Sequence, residues 1–158
     1  MTRIGLGYDS HRFTEGRPLI LAGQRIPHDR GLAGHSDADA VSHALIDAIL
    51  GAAGAGNIGA LFPDTDPRWK DADSLGLLQA AYATVQGRGF RVAQADITVI
   101  TEHPKLAPHL PAMCRALARV LGIEEWNVSV KAKTNEGMGF IGRGEGLAVM
   151  AAATLEDR

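Results

Sequence analysis

Three side chains near the start of the chain have the types and spacing of metal ligands. Asp9 and His11 lie two residues apart where a predicted first strand ends, so both side chains point to one face of that strand. His43 lies in the strongest predicted helix, over residues 37–53. One carboxylate and two imidazoles suit a catalytic zinc site with a fourth position open for substrate. A strand-end polar pair and a half-buried histidine are equally consistent with these residues, and spacing alone does not decide between the two interpretations.

Two further carboxylates flank His43 along the predicted helix. Asp39, His43 and Asp47 are spaced by four residues, which puts them in one polar stripe on an otherwise apolar helix. Asp39 or Asp47 could therefore accept a hydrogen bond from the His43 ring and orient that ring toward a metal.

The segment 34–36 precedes this helix and could bind an anion. At a helix N-terminus, free backbone N–H groups and the helix dipole attract phosphate, and His35 and Ser36 would add side-chain donors. Capping of the helix by Ser36, with Asp39 completing an S-x-x-D capping box, explains the same residues. The two roles are compatible because they use different N–H groups.

Two later polar segments could contact a substrate or a cation. Residues 57–66 form a predicted acidic loop, whose oxygens suit hydroxyl groups or a cation better than bare phosphate. Residues 131–136 end a predicted strand, and Glu136 could hold a hard cation such as Mg²⁺ together with substrate phosphates. A turn built from Asp and Pro, and a solvated strand end, are the simpler alternatives.

Residues 137–142 read Gly-Met-Gly-Phe-Ile-Gly and satisfy the pattern G-x-G-x-x-G literally. A dinucleotide-binding fingerprint needs a following helix and an acidic residue about 20 positions further on. The next segment, 147–155, is instead a predicted strand. We therefore expect a tight strand connection here, from which Phe140 and Arg143 project.

An alternation of strands and helices must position these candidate residues. A half-buried strand over 2–8 places Ile4, Leu6 and Tyr8 on one face and leaves Asp9 and His11 on the other. The remaining predicted elements are a hairpin over 18–27, helices over 37–53, over 74–86 and from Pro108 to Gly122, a loop over 54–72, and strands over 91–101, 127–133 and 147–155. This order predicts a single domain over 1–158 of the α/β class, a two-layer α+β architecture with three helices on one face of a mixed sheet.

Composition excludes several other classes of protein. The 158 residues include 16 basic and 18 acidic side chains, a net charge of −2, so the basic stripe of a nucleic-acid-binding protein is missing. No apolar run approaches the roughly 18 residues of a membrane span, and no signal peptide is visible. The single Cys114 cannot form an internal disulfide, which fits the cytoplasm, and its apolar helical surroundings indicate a buried side chain.

Four segments carry motifs that resemble one enzyme family over nearly the whole chain. They are GLGYDSHRF at 5–13, HSDADAVSHALIDAILGAAGAGNIGALFPDTDP at 35–67, HPKLAPHLPAM at 103–113 and VKAKTNEGMGFIGRGEG at 130–146. The motifs D-x-H, HSD, FPDTDP and GRGEG in this order resemble the 2-C-methyl-D-erythritol 2,4-cyclodiphosphate synthases of the non-mevalonate isoprenoid pathway.

The resemblance implies a reaction: 4-diphosphocytidyl-2-C-methyl-D-erythritol 2-phosphate gives the 2,4-cyclodiphosphate and CMP. It also implies cytoplasmic homotrimers whose sheets face the centre and whose active sites lie between subunits. It places zinc on Asp9, His11 and His43, Mg²⁺ or Mn²⁺ on Glu136 with the diphosphate, and transition-state contacts on His35 and Thr134. The implied substrate contacts are Asp9, Ser10, His11, His35, Ser36, Asn57, Ile58, Gly59, Phe62, Pro63, Asp64, Thr65, Asp66, Thr101, Glu102, His103, Pro104, Lys105, Leu106, Ala107, Lys133, Thr134, Asn135, Glu136, Phe140 and Arg143.

Two positions depart from the usual pattern of that family. Asn57 stands where Asp is usual, which exchanges one acceptor for a donor beside the implied diol. Ala38 stands where Gly is usual, and in the first turn of the predicted helix alanine should be harmless. A zinc-dependent phosphohydrolase and a catalytically idle phosphate-binding module are the alternative functions. The motifs offer no obvious water-activating base for the first, and the intact metal ligands argue against the second.

Overall fold

The computed structural model describes residues 1–158, and a five-stranded mixed sheet is its central element. The strands are β1 (Arg3–Thr14), β2 (Leu19–Leu21), β3 (Gln24–Ile26), β4 (Gly31–Leu32), β5 (Phe90–Ile100), β6 (Val128–Lys133) and β7 (Gly146–Asp157). The helices are α1 (Ala40–Ala52), α2 (Ile58–Leu61), α3 (Ser74–Gly87), α4 (Leu110–Leu121) and α5 (Gly139–Gly142). The sheet order is β4-β1-β7-β5-β6, in which only β5 and β6 run parallel. The predicted two-layer arrangement of three long helices on a mixed sheet is confirmed.

Helix α1 packs on β1 so closely that backbone meets backbone. A Cβ added at Gly5 would lie 1.9 Å from the Ala48 carbonyl oxygen, and one at Gly7 would lie 1.8 Å from the Ala44 carbonyl oxygen. Only glycine permits such an approach. The helix itself is buried around most of its circumference, including Val41, Leu45 and Ile49.

The buried face of β1 is the glycine face rather than the face that carries large apolar side chains. A half-buried strand is confirmed, yet Ile4, Leu6 and Tyr8 are 70%, 76% and 55% exposed in the single chain. Met150 on the neighbouring β7 is also exposed. The outer side of the sheet therefore carries an apolar patch that the fold of one chain does not cover.

The start of α1 corrects three predictions. The helix begins at Ala40 rather than at residue 37, and its N-cap is Asp39, whose side chain accepts a hydrogen bond from the Ser42 N–H. Ser36 lies before the helix and accepts from the Ala38 N–H. A buried carboxylate thus caps the helix in place of the predicted Ser36, whereas anion binding by residues 34–36 stays a prediction. Ala38 is also outside the helix, at φ +58°, in the left-handed region that disfavours alanine.

Most other predicted elements lie within one or two residues of the observed ones. The hairpin turns at Ala22 and Gly23, both at positive φ, and Gly122 ends α4 at φ +64°. The predicted loop 54–72 contains α2 and a 3₁₀ turn over Pro67–Trp69. The glycine-rich segment 137–142 contains the short α5 and is followed by β7, as expected for a strand connection and not for a dinucleotide fingerprint. No helix combines the length and apolarity that crossing a membrane requires.

Candidate metal centre and active site

The close packing of α1 on β1 brings three predicted metal ligands together. Asp9 and His11 project from the helix-facing side of β1, and His43 projects from the first turn of α1 toward them. Asp9 Oδ2 lies 2.8 Å from His11 Nε2 and 3.3 Å from His43 Nδ1, and the two ring nitrogens are 3.4 Å apart. The three side chains are 25%, 16% and 11% exposed, so the cluster is half-buried and open on one side.

These distances fit a divalent metal ion. Ligands placed about 2.0–2.1 Å from a tetrahedral ion are separated from one another by about 3.3 Å. Asp9 Oδ2 is buried, and it makes no hydrogen bond although two ring nitrogens lie within 3.3 Å. One ligand atom of the carboxylate and one of each imidazole therefore converge on a common point, all within 4.8 Å of one another. The three residues are the one group in the structure with the arrangement of a metal site.

Hydrogen bonds behind the cluster set which nitrogen of each imidazole faces it. His11 Nδ1 donates to the Ala33 carbonyl at 2.7 Å, which leaves Nε2 free as a ligand. His43 Nε2 donates to Ser74 Oγ at 2.9 Å, and Ser74 Oγ in turn donates to the Asp37 carboxylate. Such partners fix the tautomer and the ring orientation of a metal-binding histidine.

The carboxylates predicted to orient His43 have other partners. The buried Asp39 accepts the N–H groups of Ala22 and Gly23, so it ties the β2–β3 hairpin to α1. Asp47 accepts the Ile58 N–H at 2.7 Å and so ties the start of α2 to α1. The prediction that Asp39 or Asp47 supports the histidine is therefore wrong. A spacing of four residues puts side chains on one helix face, but it does not determine which residues pack against that face.

The pKa values of two ligands reflect their mutual contact. Burial alone would raise the pKa of Asp9, but the polar contacts with His11 and His43 outweigh burial and hold it below its usual value. Burial alone would lower the pKa of His11, but the adjacent Asp9 carboxylate raises it above its usual value. In the metal-free chain an ionised Asp9 thus faces a His11 that retains its proton to higher pH. A cation at this position would take the place of that proton.

A cleft of about 420 Å³ opens directly beside the cluster. His11, His35, Ser36 and His43 form its polar wall. Residues of α2, the loop that follows it, Trp69 and Leu77 complete the lining. Among the substrate contacts implied by resemblance, those of α2 and its loop that line the cleft are Ile58, Gly59, Phe62, Pro63 and Asp64.

The remaining residues of the acidic loop do not line the cleft, and two of them make hydrogen bonds within and next to the loop. Asn57 caps α2 by accepting the Ala60 N–H through Oδ1. Asp66 accepts three hydrogen bonds from Arg68, and these bonds hold its pKa below the usual value. The Asp66 carbonyl accepts from His35 Nε2 at 3.2 Å, which orients that ring. Thr65 lies in the same turn.

The other implied residues lie elsewhere on the chain. Ser10 and Phe140 line a second cleft of about 270 Å³, and Arg143 pairs there with Glu145. The segments 101–107 and 133–136 extend from the C-terminal ends of β5 and β6, at the sheet edge where β1 also ends.

Thr134 and Glu136 are not brought to the metal cluster within one chain. Strand β6 is three positions from β1, about 14 Å at the usual strand spacing.

Sequence reasoning missed four residues of this site. Asp37 and Ser74 form the relay behind His43, and Trp69 and Leu77 line the cleft. The one local signal in the sequence is that Asp37 follows His35 and Ser36 directly in the HSD motif. Ser74 is 31 residues from His43 and has no signal in the sequence, because only the packing of α3 against α1 brings the two together.

Comparisons with known proteins place the chain in one family. The family model described as the YgbB family matches residues 2–156. A 2-C-methyl-D-erythritol 2,4-cyclodiphosphate synthase of Salinibacter ruber is 56% identical over 154 residues, which cover 98% of each chain. The enzyme of the same name from Neisseria gonorrhoeae is 56% identical over 153 residues, 97% of this chain and 96% of that one.

Solved structures give the same result. The bifunctional IspDF of Campylobacter jejuni superimposes with a TM-score of 0.97 at 46% identity over 100% of this chain, which spans 43% of that longer protein. A CDP-bound form of 2C-methyl-D-erythritol-2,4-cyclodiphosphate synthase gives 0.89 at 42% identity, over 98% of this chain and 100% of that one. With this family match, and with the Asp-His-His cluster beside an open cleft, the chain belongs to the YgbB family, the family of the 2-C-methyl-D-erythritol 2,4-cyclodiphosphate synthases.

Proposed function

We propose that this chain converts 4-diphosphocytidyl-2-C-methyl-D-erythritol 2-phosphate to 2-C-methyl-D-erythritol 2,4-cyclodiphosphate and releases CMP. The observation that carries the proposal is the convergence of Asp9, His11 and His43 on one point at the edge of the cleft. Relatives that are 56% identical over almost their whole length carry the name of this activity, and a CDP complex of a solved relative supports a cytidine nucleotide as ligand. The unpaired Cys114 supports a reducing, cytoplasmic setting.

Catalysis of this reaction requires positioning of the substrate and neutralisation of its charge, and it does not require a strong base. The 2-phosphate of the substrate is already an anion, and it attacks the β-phosphorus of the same molecule while CMP leaves. Holding the chain folded back in the cleft makes this step intramolecular, which supplies much of the rate. A metal ion in such a site polarises a phosphate oxygen as a Lewis acid.

We propose zinc for the Asp9, His11 and His43 cluster. Two imidazoles and one carboxylate are a usual donor set for catalytic zinc, and the ligand spacing suits a tetrahedral ion. We propose Mg²⁺ or Mn²⁺ for Glu136, since an exposed carboxylate and substrate phosphates offer only hard oxygen ligands. His35 and Thr134 would donate to the charge that develops between the two phosphates.

The cleft wall suggests how the methylerythritol part is recognised. Phe62 and Trp69 pack edge to face with ring centroids 5.0 Å apart and form an apolar part of the cleft lining. Asp64 presents carboxylate oxygens to hydroxyl groups. Because Asn57 uses Oδ1 to cap α2, its side chain offers the substrate an N–H donor where the usual Asp would offer an acceptor. A hydroxyl group can accept as well as donate, so the diol still fits.

We propose that the chain acts as a homotrimer in which a neighbouring subunit completes each site. The outer sheet face exposes Ile4, Leu6, Tyr8 and Met150, an apolar patch that suits burial against further copies of the chain. Glu136 is not part of the metal cluster of its own chain, and it follows β6, three strand positions from β1. A second copy that contributes its own segment 133–136 would supply the missing half of the site.

One assay tests the proposed reaction. The purified protein, loaded with zinc, is given the diphosphocytidyl substrate with Mg²⁺, and the products are followed by phosphorus NMR. Formation of CMP together with a cyclic diphosphate is expected. A linear product would identify a hydrolase instead, and a lack of turnover would leave a phosphate-binding module. In parallel, His43→Ala should lose bound zinc and turnover together while the trimer survives in sedimentation. Full zinc in that variant would refute the ligand assignment.

A further inference from the structure

We propose that Glu102 is a positioning residue that holds the backbone of residues 134–137 in the conformation that presents Glu136. This inference rests on the proposed function, in which Glu136 carries the second metal. It differs from the substrate contact that family resemblance implies for Glu102, because the carboxylate is committed to the protein's own backbone.

A single oxygen of Glu102 makes the connection. Oε1 accepts the N–H of Asn135 at 3.1 Å and the N–H of Gly137 at 3.0 Å. Glu102 lies just after β5, and the two donors lie just after β6, more than 30 residues further along the chain. The contact therefore joins the two segments at the point where the parallel β5–β6 ladder ends. The Thr101 N–H, which donates to the Lys133 carbonyl, is the last backbone link before it.

The residue between these two donors is Glu136 itself. It lies at φ +55°, in the left-handed region that side chains other than glycine rarely adopt, and Gly137 follows at φ +72°. A strained conformation persists only where the surroundings hold it in place. Two backbone hydrogen bonds to the acceptor oxygen of Glu102, one on each side of Glu136, do so here.

No other hydrogen bond joins residues 134–137 to a distant part of the chain. The Glu136 N–H donates to Thr134 Oγ1, and the Asn135 side chain donates to the Met138 carbonyl, so both of these contacts are local. Thr134 and Glu136 are exposed and gain no rigidity from the hydrophobic core. The Glu102 carboxylate thus fixes the backbone position from which the Glu136 side chain projects.

The chain offers a matched pair of variants to test this role. Glu102→Gln keeps an oxygen that can accept both N–H groups, whereas Glu102→Ala removes the acceptor. Turnover of Glu102→Ala should fall roughly 10–100-fold, the usual effect of misplacing a catalytic group by about 1 Å. Its Mg²⁺ dependence should shift to higher concentration, while zinc content and thermal stability remain close to those of the parent. Glu102→Gln should recover most of the loss.

A second measurement does not depend on activity. Amide hydrogen exchange of Asn135 and Gly137, followed by NMR on the full protein, should be at least about 10-fold faster in Glu102→Ala than in Glu102→Gln. Parent-like exchange and parent-like Mg²⁺ dependence in Glu102→Ala would overturn the proposal. Equal damage from Gln and Ala would also overturn it, because charge rather than the acceptor would then matter. If the parent protein lacks cyclase activity, the proposed function fails, and the exchange rates still decide the role of Glu102.

Discussion

Replacing Gly7 by alanine should disrupt the metal site through the backbone of a helix that bears one ligand. The new Cβ would lie 1.8 Å from the Ala44 carbonyl oxygen, whereas real Cβ atoms essentially never approach closer than 3.0 Å. Helix α1 must therefore retreat by at least about 1.2 Å at the residue next to His43. The distances of 3.3 and 3.4 Å from His43 Nδ1 to Asp9 and His11 would lengthen accordingly.

The expected effects of Gly7→Ala on stability and on zinc binding follow from the packing. Overpacking of this kind costs about 1–3 kcal/mol of unfolding free energy. Misorientation of one ligand should weaken zinc binding roughly 10–100-fold. Zinc affinity is measured by competition with a chelating dye, and stability by thermal unfolding of the metal-free protein with circular dichroism as a check on folding.

Gly51→Ala is the matched control because it lies in the same helix with open space around the added Cβ. It should leave zinc affinity unchanged and raise stability by about 0.5–1 kcal/mol, since alanine is the better helix former. Unchanged zinc affinity and unchanged melting temperature in Gly7→Ala would refute the reasoning. That result would mean that α1 can move away from β1 without disturbing the ligands.

Three more predictions follow from contacts around the site. Ser74→Ala removes the nearer of the two hydroxyl groups beside His43 Nε2, at 2.9 Å against 3.2 Å for Ser36 Oγ, and should weaken zinc binding roughly 10-fold in the same dye competition. In the metal-free protein, the lowered pKa of Asp9 stabilises the fold above pH 3.8, and this contribution is lost as the pH falls through the lowered pKa. The raised pKa of His11 stabilises the fold below pH 6.5, and this contribution is lost as the pH rises through the raised pKa. The melting temperature of the chelated protein should therefore fall from pH 6 toward pH 8.5, and it should do so less in His11→Gln. Asp47→Ala frees the Ile58 N–H and should raise KM with zinc content unchanged, whereas Asp47→Asn, which keeps an acceptor oxygen, should stay near the parent.

The sequence by itself was sufficient for most local elements, and together with the family motifs it pointed to the three candidate metal ligands. The spacing of Asp9 and His11 places two side chains on one strand face whatever else the strand contacts, because the strand period is two. The turn at Ala22-Gly23 and the helix end at Gly122 are equally local, since they depend on backbone conformations that few residues adopt. The reaction itself was predicted from the resemblance of the motifs to one enzyme family.

Only the tertiary structure decided which surfaces these elements bury and which side chains support the ligands. Glycine has no hydropathy signal, so the pattern of β1 could not reveal that Gly5 and Gly7 lie under α1 while Leu6 faces outward. The relay from His43 through Ser74 joins residues 31 positions apart.

The bonds from Glu102 to the backbone on either side of Glu136 span a similar separation. Periodicity reports the geometry of one segment, whereas such contacts depend on how whole segments pack against one another. The single chain also leaves Glu136 apart from the metal cluster, because three strand positions separate them in the sheet.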